Sequence, residues 1–209
     1  MSKREGILIV ISGFSGAGKG TLMKRLLSDY DEFALSISMT SRGMRAGEEN
    51  GREYFFVSRE EFEAAIEAGK LLEHAEYCGN YYGTPKEYVE SKLKAGINVI
   101  LEIEVQGAMQ IRRKFPKALL LYVTPPSISE LERRLRARGT ETEEAIVRRL
   151  TQARNEVNFI NDYDYLVIND DLDECVKEMY GIICASLFDV KRQDELIDEL
   201  KRELLELKF

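Results

Sequence analysis

Short apolar runs alternate with longer amphipathic stretches along most of the chain. Five of the runs are rich in β-forming residues, at positions 7–11, 33–37, 97–101, 118–123 and 165–168. The second alternates between apolar and polar residues, whereas the others are almost continuously apolar. Continuous apolar runs are typical of strands buried on both faces, and hence of a parallel sheet covered by helices. The pattern predicts an α/β fold with a five-stranded parallel sheet.

Capping signals predict where the helices begin and end. Ser58 and Glu61 have the spacing of a capping box, which predicts a helix running to Ala68 and closed by Gly69. Similar signals bound three further helices: Thr84 to Gly96, with Pro85 in the first helical position; Ser127 with Glu130 to Gly139; and Thr140 or Thr142 to about Asn158.

The stretch 38–83 interrupts the alternation of strands and helices, and we interpret it as an insert with a small irregular sheet and the Ser58 helix. The predicted domain spans 5–185. Its core is 5–37, 84–126 and 159–185, its insert is 38–83, and a helical lid occupies 127–158. A C-terminal helix occupies 186–209. Its leucines at 200, 204 and 207 continue a spacing that begins at Ile197, and this spacing favours a packed helix over a coiled coil, because too few heptads are present.

Composition narrows the functional class. The net charge of −7 over 209 residues argues against a general binder of nucleic acid or of membrane surfaces. No apolar run approaches the ~20 residues that cross a bilayer. The three cysteines lack metal-like spacing, which fits a reducing cytoplasm, and the single histidine excludes a histidine cluster.

A glycine-rich loop carries the strongest chemical signal. The sequence Gly13-Phe14-Ser15-Gly16-Ala17-Gly18-Lys19 follows an apolar run and precedes a helix-like stretch beginning at Thr21. Such a loop directs backbone N–H groups and a helix N-terminus at phosphate oxygens, and its lysine adds a mobile charge. Gly20 stands where the standard motif has a magnesium-binding Ser or Thr, so Thr21 is the nearest hydroxyl.

Polar residues elsewhere could be ordinary surface or core residues, or they could bind a ligand. Arg42 and Arg45 lie three apart, as in a solvated loop or in a pair of guanidinium forks for a phosphate dianion. Tyr81 and Tyr82 lie between glycines, where they could pack in a core or bind a phosphate. Glu73 is either a surface carboxylate or an acceptor for the paired N–H groups of guanine, which adenine lacks.

Glu102 and Glu104 follow an apolar run, two residues apart on one predicted face. Carboxylates at the end of such a strand hold magnesium in phosphate-loop enzymes, usually through water, although either could instead pair with an arginine. Arginines at 133, 134, 136, 138, 148 and 149 are typical of solvated helices paired with neighbouring glutamates. One or two of them could instead reach a transferring phosphoryl group.

Together these motifs resemble the guanylate kinase family over about residues 6–185. The resemblance rests on Ser-Gly-Ala-Gly-Lys at 15–19, Thr-Ser-Arg-x-x-Arg-x-Gly-Glu at 40–48, and Gly-Asn-Tyr-Tyr-Gly-Thr at 79–84. It rests further on Arg-Gly-Thr-Glu-Thr-Glu-Glu at 138–144 and Asn-Asp-Asp at 169–171. It implies phosphorylation of GMP, and of dGMP, by ATP with Mg²⁺, in a cytoplasmic monomer or homodimer.

The resemblance also implies residue roles. The ATP-binding set is Gly13, Phe14, Ser15, Gly16, Ala17, Gly18, Lys19, Gly20, Thr21, Arg134 and Asn169. The GMP-binding set is Arg42, Arg45, Tyr54 and Tyr82 for the phosphate, Ser38, Glu73 and Thr84 for guanine, and Glu102 and Glu104. The catalytic set is Lys19, Arg42, Arg138 and Arg149, and the magnesium set is Glu102 and Glu104 through water, with Thr21. Many family members have aspartate at positions 102 and 104 and proline at 14, and little effect is expected from Phe14.

Two other functions remain open on the sequence. The same fold could serve as a protein-binding module without catalysis, although such modules typically have a degraded phosphate loop. It could also phosphorylate another acceptor, such as AMP, UMP, dTMP or a ribose phosphate. Ser38 and Glu73 favour guanine over these acceptors.

Overall fold

The computed structural model describes residues 5–77, 79–137 and 142–207. The strands within these residues are β1 (Leu8–Gly13), β2 (Phe33–Leu35), β3 (Met39–Thr40), β4 (Phe55–Phe56), β5 (Leu71–Tyr77), β6 (Asn80–Pro85), β7 (Asn98–Glu102), β8 (Leu119–Thr124) and β9 (Tyr165–Ile168). The helices are α1 (Lys19–Asp29), α2 (Arg59–Glu67), α3 (Lys86–Lys94), α4 (Val105–Lys114), α5 (Ile128–Ala137), α6 (Glu143–Glu156), α7 (Leu172–Ser186) and α8 (Asp194–Glu206). Short 3₁₀ helices occupy Val157–Asp162 and Val190–Arg192.

The main sheet has five parallel strands in the order β2-β7-β1-β8-β9. Successive residues of β1 point to opposite faces, and both faces are buried. Ile9 and Ile11 join one apolar cluster, whereas Leu8 and Val10 join the other. The parallel sheet predicted from the continuous apolar runs is therefore confirmed. Because the strands are parallel, the carboxyl ends of β1 and β7 meet at one edge, where the phosphate loop and Glu102 lie.

A second, mixed sheet of four strands, in the order β4-β3-β6-β5, occupies the stretch interpreted as an insert. Phe62 of α2 is fully buried in a small cluster beside this sheet. Strands β3 and β4 have two residues each, which is too short to give a period in the sequence. The small sheet was predicted, but its individual strands were not.

Two helix starts show how local signals succeed and fail. The capping box at Ser58 is present: the Glu61 N–H donates to Ser58 Oγ at 3.1 Å, and the Ser58 N–H donates to the Glu61 carboxylate at 2.7 Å. The predicted start at Thr84 is wrong. Residues 84 and 85 end strand β6, Pro85 is the N-cap rather than the first helical residue, and α3 begins at Lys86. Thr84 lies inside β6, one residue before the N-cap, and its hydroxyl donates to Glu73 instead of meeting the first turn of α3.

The helix at the C-terminus forms, but the prediction that it packs is wrong. No residue of α8 is buried, and its apolar face, including Leu200, Leu204 and Leu205, remains largely exposed. An exposed ion pair between Lys117 and Asp194 links its first turn to the connection between α4 and β8. Among the described residues, no helix has the length and apolar character needed to cross a membrane.

Candidate active site

The phosphate loop joins β1 to α1 at the carboxyl edge of the main sheet. Gly16 and Gly18 have φ of 98° and 92°, conformations that favour glycine, and Gly18 is the N-cap of α1. Lys19 is the first residue of the helix. Its Nζ donates to the carbonyl oxygens of Gly13 at 2.6 Å and Phe14 at 3.3 Å, so the ammonium lies over the loop.

Two buried residues fix this loop from below. Asn169 follows β9, and its amide Nδ2 donates to the Ala17 carbonyl oxygen at 2.7 Å. A β-carbon at Gly18 would collide with the same amide, which is a second reason for glycine there. Phe14 is only 2% exposed and packs edge-on against Tyr122, with ring centroids 5.3 Å apart. Asn169 and Phe14 thus support the loop backbone.

Glu102 and Glu104 lie near Lys19 at the carboxyl edge of the main sheet, which is where open parallel sheets have their ligand-binding crevice. Strand β7 ends at Glu102, whereas Glu104 is the N-cap of α4, so the prediction that both end the strand holds only for Glu102. Their carboxylates remain close enough to interact. The surrounding protein and the Glu104 charge raise the pKa of Glu102, and the Lys19 ammonium opposes this effect. Thr21, on the first turn of α1, is exposed.

One face of α6 lies against the phosphate loop. Arg149 Nη1 donates to Ser15 Oγ, which brings this predicted arginine to the loop. Two turns later, Glu156 is buried, and Gln152 Nε2 donates to its Oε1 at 2.7 Å. Burial and the neighbouring Glu104 carboxylate raise the pKa of Glu156 to about 7. Arg138 and residues 139–141 of the predicted lid tip lie outside the described residues.

Sequence reasoning missed Glu156. A glutamate in a charged helix resembles a solvated residue, and only the shared face of positions 146, 149, 153 and 156 could have indicated burial. Three arginines of α5, at positions 133, 134 and 136, pair with glutamates, as expected for solvated helices. Arg134 Nε donates to Glu130 at 2.6 Å, and Arg136 pairs with Glu132 and Glu143. Arg134, predicted to contact adenine, is therefore held by a neighbouring turn of its own helix.

A second polar cluster lies in the small-sheet lobe. Arg42 makes a two-pronged contact with Glu48, at 2.8 and 3.0 Å, and this hydrogen bonding raises the pKa of Arg42. Its guanidinium lies 5.4 Å from the centroid of the Tyr54 ring, and that ring lies 6.0 Å from the ring of Tyr82. Arg42, Tyr54 and Tyr82 are thus brought together, whereas Arg45 is exposed on the loop.

Tyr81 and Tyr82 have different environments: the first packs in a core, whereas the second lies in the cluster predicted to bind a phosphate. Tyr81 stacks on Phe62 with ring centroids 5.3 Å apart and accepts a hydrogen bond from Arg59 Nη2 at 2.8 Å. It therefore packs against α2. Tyr82, one residue later in β6, points to the other side of the strand, where its ring lies beside Tyr54 and Arg42.

Glu73 is not a surface carboxylate. It lies in β5, is 3% exposed, and accepts a hydrogen bond from the Thr84 hydroxyl at 2.6 Å. Burial raises its pKa to about 7, while the Thr84 hydroxyl and the charge of Lys114 oppose that rise. Ser38 immediately precedes β3, whose Met39 pairs with Gly83, so the three predicted guanine contacts lie on adjoining strands.

Comparison with known proteins gives a consistent result. A family model described as guanylate kinase matches residues 5–186. A protein named guanylate kinase from Desulfitobacterium hafniense (strain Y51) is 48% identical over 92% of this chain and 96% of its own. One from Streptococcus thermophilus (strain CNRZ 1066) is 50% identical over 92% of each chain. The crystal structure of guanylate kinase from Anaplasma phagocytophilum is 32% identical, covers 92% of each chain and has a TM-score of 0.75.

Proposed function

The chain belongs to the guanylate kinase family, and we propose how its crevice carries out the reaction ATP + GMP = ADP + GDP. The enzyme is a phosphotransferase that uses ATP to phosphorylate GMP. One observation carries the proposed arrangement. Glu102 interacts electrostatically both with Lys19 of the phosphate loop and with Tyr54 beside Arg42, which links the loop to the predicted GMP phosphate cluster.

On the ATP side, the loop 13–21 is proposed to hold the triphosphate. Its N–H groups and the α1 N-terminus favour anionic oxygens. Lys19 now bonds to carbonyl oxygens of the loop itself, and a phosphate would replace those partners with a full negative charge. Arg149, already at Ser15, can reach the transferred phosphoryl group, and Arg138 is proposed for the same role. Arg134 and Asn169 are proposed for the adenine side.

On the GMP side, Arg42, Tyr54 and Tyr82 are proposed to bind the phosphate, with Arg45 joining from the exposed loop. Glu48 now offers Arg42 two carboxylate oxygens, and a phosphate would present the same two-pronged geometry. Glu73, supported by Thr84 and Ser38, is proposed to accept the N1 and N2 hydrogens of guanine. This contact concerns the base alone, so the same site should accept dGMP.

The residues present suit a mechanism based on position and charge. The phosphate of GMP is already anionic near neutral pH, so the attack requires no strong general base. Lys19, Arg42 and Arg149 would stabilise charge on the transferring group, while closure of the crevice would exclude water. Mg²⁺ bound with ATP would neutralise further phosphate charge. Glu102 and Glu104, through water, and the Thr21 hydroxyl offer the oxygen donors that this ion prefers. Within the described residues, Cys175 and Cys184 form no disulfide, which supports the proposed cytoplasmic location.

A coupled assay of ADP release with Mg·ATP tests the proposal, comparing GMP, dGMP, AMP, UMP, dTMP and no acceptor. Turnover with the two guanine nucleotides far above the others is expected. Turnover with another base would contradict the role of Glu73. A folded protein that binds GMP or a phosphopeptide without turnover would instead indicate a binding module. Lys19→Ala, which removes the loop charge, serves as the inactive control.

A further inference from the structure

Helix α4 lies along the outer edge of β5, the strand that carries Glu73. Strand β5 is an edge strand, so its backbone groups need partners from outside the sheet. Gln110 pairs with both backbone groups of His74: its Nε2 donates to the carbonyl oxygen at 2.6 Å, and its Oε1 accepts from the N–H at 3.3 Å. Lys114 Nζ donates to the Leu72 carbonyl oxygen at 2.8 Å. One face of α4 thus fixes β5 on both sides of Glu73.

Gly107 lies on this same face, one turn before Gln110, and it is buried in the interior of α4. A β-carbon at this position would lie 3.0 Å from Cδ of Glu73 and closer still to its Oε2. It would also lie 3.3 Å from Cδ1 of Ile103. The nearest obstacle is the tip of a flexible side chain, so an alanine would displace the carboxylate rather than the backbone. Helix propensity does not explain a glycine here, because glycine disfavours helix interiors.

We propose that Gly107 is a positioning residue for guanine recognition. Its missing side chain leaves the space in which the Glu73 carboxylate lies beside the Thr84 hydroxyl. Any larger residue at 107 moves that carboxylate away from the base. The inference rests on the proposed role of Glu73 as the guanine contact.

The test compares Gly107→Ala with Gly181→Ala, a matched control in the interior of α7 where a β-carbon meets nothing within 4 Å. Kinetics are measured with GMP and with IMP, which lacks the 2-amino group. Gly107→Ala should raise the KM for GMP and lower the preference for GMP over IMP, each by about tenfold or more. The KM for ATP should not change, and Gly181→Ala should behave as wild type. If Gly107→Ala kept the wild-type ratio of kcat/KM for GMP to kcat/KM for IMP, the proposal would be overturned.

Two further variants separate this inference from the assignment of Glu73. If Glu73→Gln kept the full preference for GMP over IMP, Glu73 would not be the guanine contact, whatever the effect of Gly107→Ala. In Glu73→Asp, the carboxylate withdraws by about one C–C bond, ~1.5 Å. Adding Gly107→Ala to that background should therefore lower kcat/KM for GMP by a much smaller factor than it does in the wild-type protein. An undiminished loss, or failure of this double variant to fold, would show that Glu73 is not what the space at 107 accommodates.

Discussion

Replacing Glu73 with glutamine should remove a pH-dependent loss of stability from the free protein while it weakens GMP binding. In the folded chain, burial raises the pKa of Glu73 from 4.5 to about 7. The folded state therefore favours the protonated acid. A guanine base requires the ionised form, because only that form accepts two N–H bonds without offering a donor of its own. Stability and recognition thus make opposite demands on this side chain.

The sign and size of the effect follow from proton linkage. Below pH 4.5 both folded and unfolded chains hold the proton, so Glu73 contributes no pH dependence. Between pH 4.5 and about 7 the unfolded chain releases the proton and the folded chain keeps it, so stability falls as pH rises. Above that range the loss is constant, and the two pKa values correspond to about 3 kcal/mol. Glutamine removes this dependence, although each of its unpaired buried N–H groups costs about 1–3 kcal/mol at every pH.

Urea unfolding at pH 5 and pH 8 measures the difference. The stability of Glu73→Gln relative to wild type should increase by about 2–3 kcal/mol between the two pH values. Comparing the two proteins cancels every other titrating group. Glu76→Gln, on the exposed part of the same strand, is the control and should show no such increase. Parallel pH profiles for wild type and Glu73→Gln would refute the reasoning, because they would mean that Glu73 ionises freely in the fold.

Three further variants test the rest of the crevice. Arg42→Ala should lower kcat/KM for GMP by about 10²-fold or more, because it removes the proposed two-pronged contact with the phosphate, while the KM for ATP is unchanged. Arg52→Ala is the control, because Arg52 is exposed in the same insert, and it should have no comparable effect. Lys19→Ala should lower kcat by about 10³-fold or more with an unchanged melting temperature, and a lower melting temperature would indicate a structural role instead. Thr84→Val should raise the KM for GMP by about tenfold, because a hydrogen bond to a charged group contributes about 1.5–3 kcal/mol; an unchanged KM would remove Thr84 from the guanine site.

The main sheet was predictable because burial on both faces leaves a plain signature. Residues 8–11 are apolar without interruption, and the structure buries their side chains alternately on the two sides. The small sheet was less accessible. Strands of two residues have no period, and Thr84 carries a capping signature although it lies inside β6, with its hydroxyl bonded to Glu73. The packing of α8 was also mispredicted, since apolar spacing indicates a face but not whether that face meets a partner.

The residues of the candidate site likewise fall into two groups, those that the sequence identified and those that only the structure revealed. Motif residues such as Lys19, Arg42 and Tyr82 were identified because their chemistry follows from local sequence. Glu156 and Gly107 were not, because their significance depends on which segment packs against them. Glu156 is conspicuous only when α6 lies on the phosphate loop, and Gly107 only when β5 lies on α4. Contacts between segments distant in sequence therefore set the limit of sequence reasoning here.

The stability of Gly107→Ala provides a separate check on the contact between α4 and β5. Alanine in place of an interior helical glycine normally gains about 1 kcal/mol, and Gly181→Ala, with open space around it, should show that full gain. Gly107→Ala should gain clearly less, because part of the benefit is lost in moving the Glu73 side chain from its bond with Thr84. Residues in contact do not act additively, so Glu73→Asp should restore the missing part of the gain. If Gly107→Ala gained as much as Gly181→Ala in urea unfolding, the glycine at 107 would have no energetic connection to Glu73.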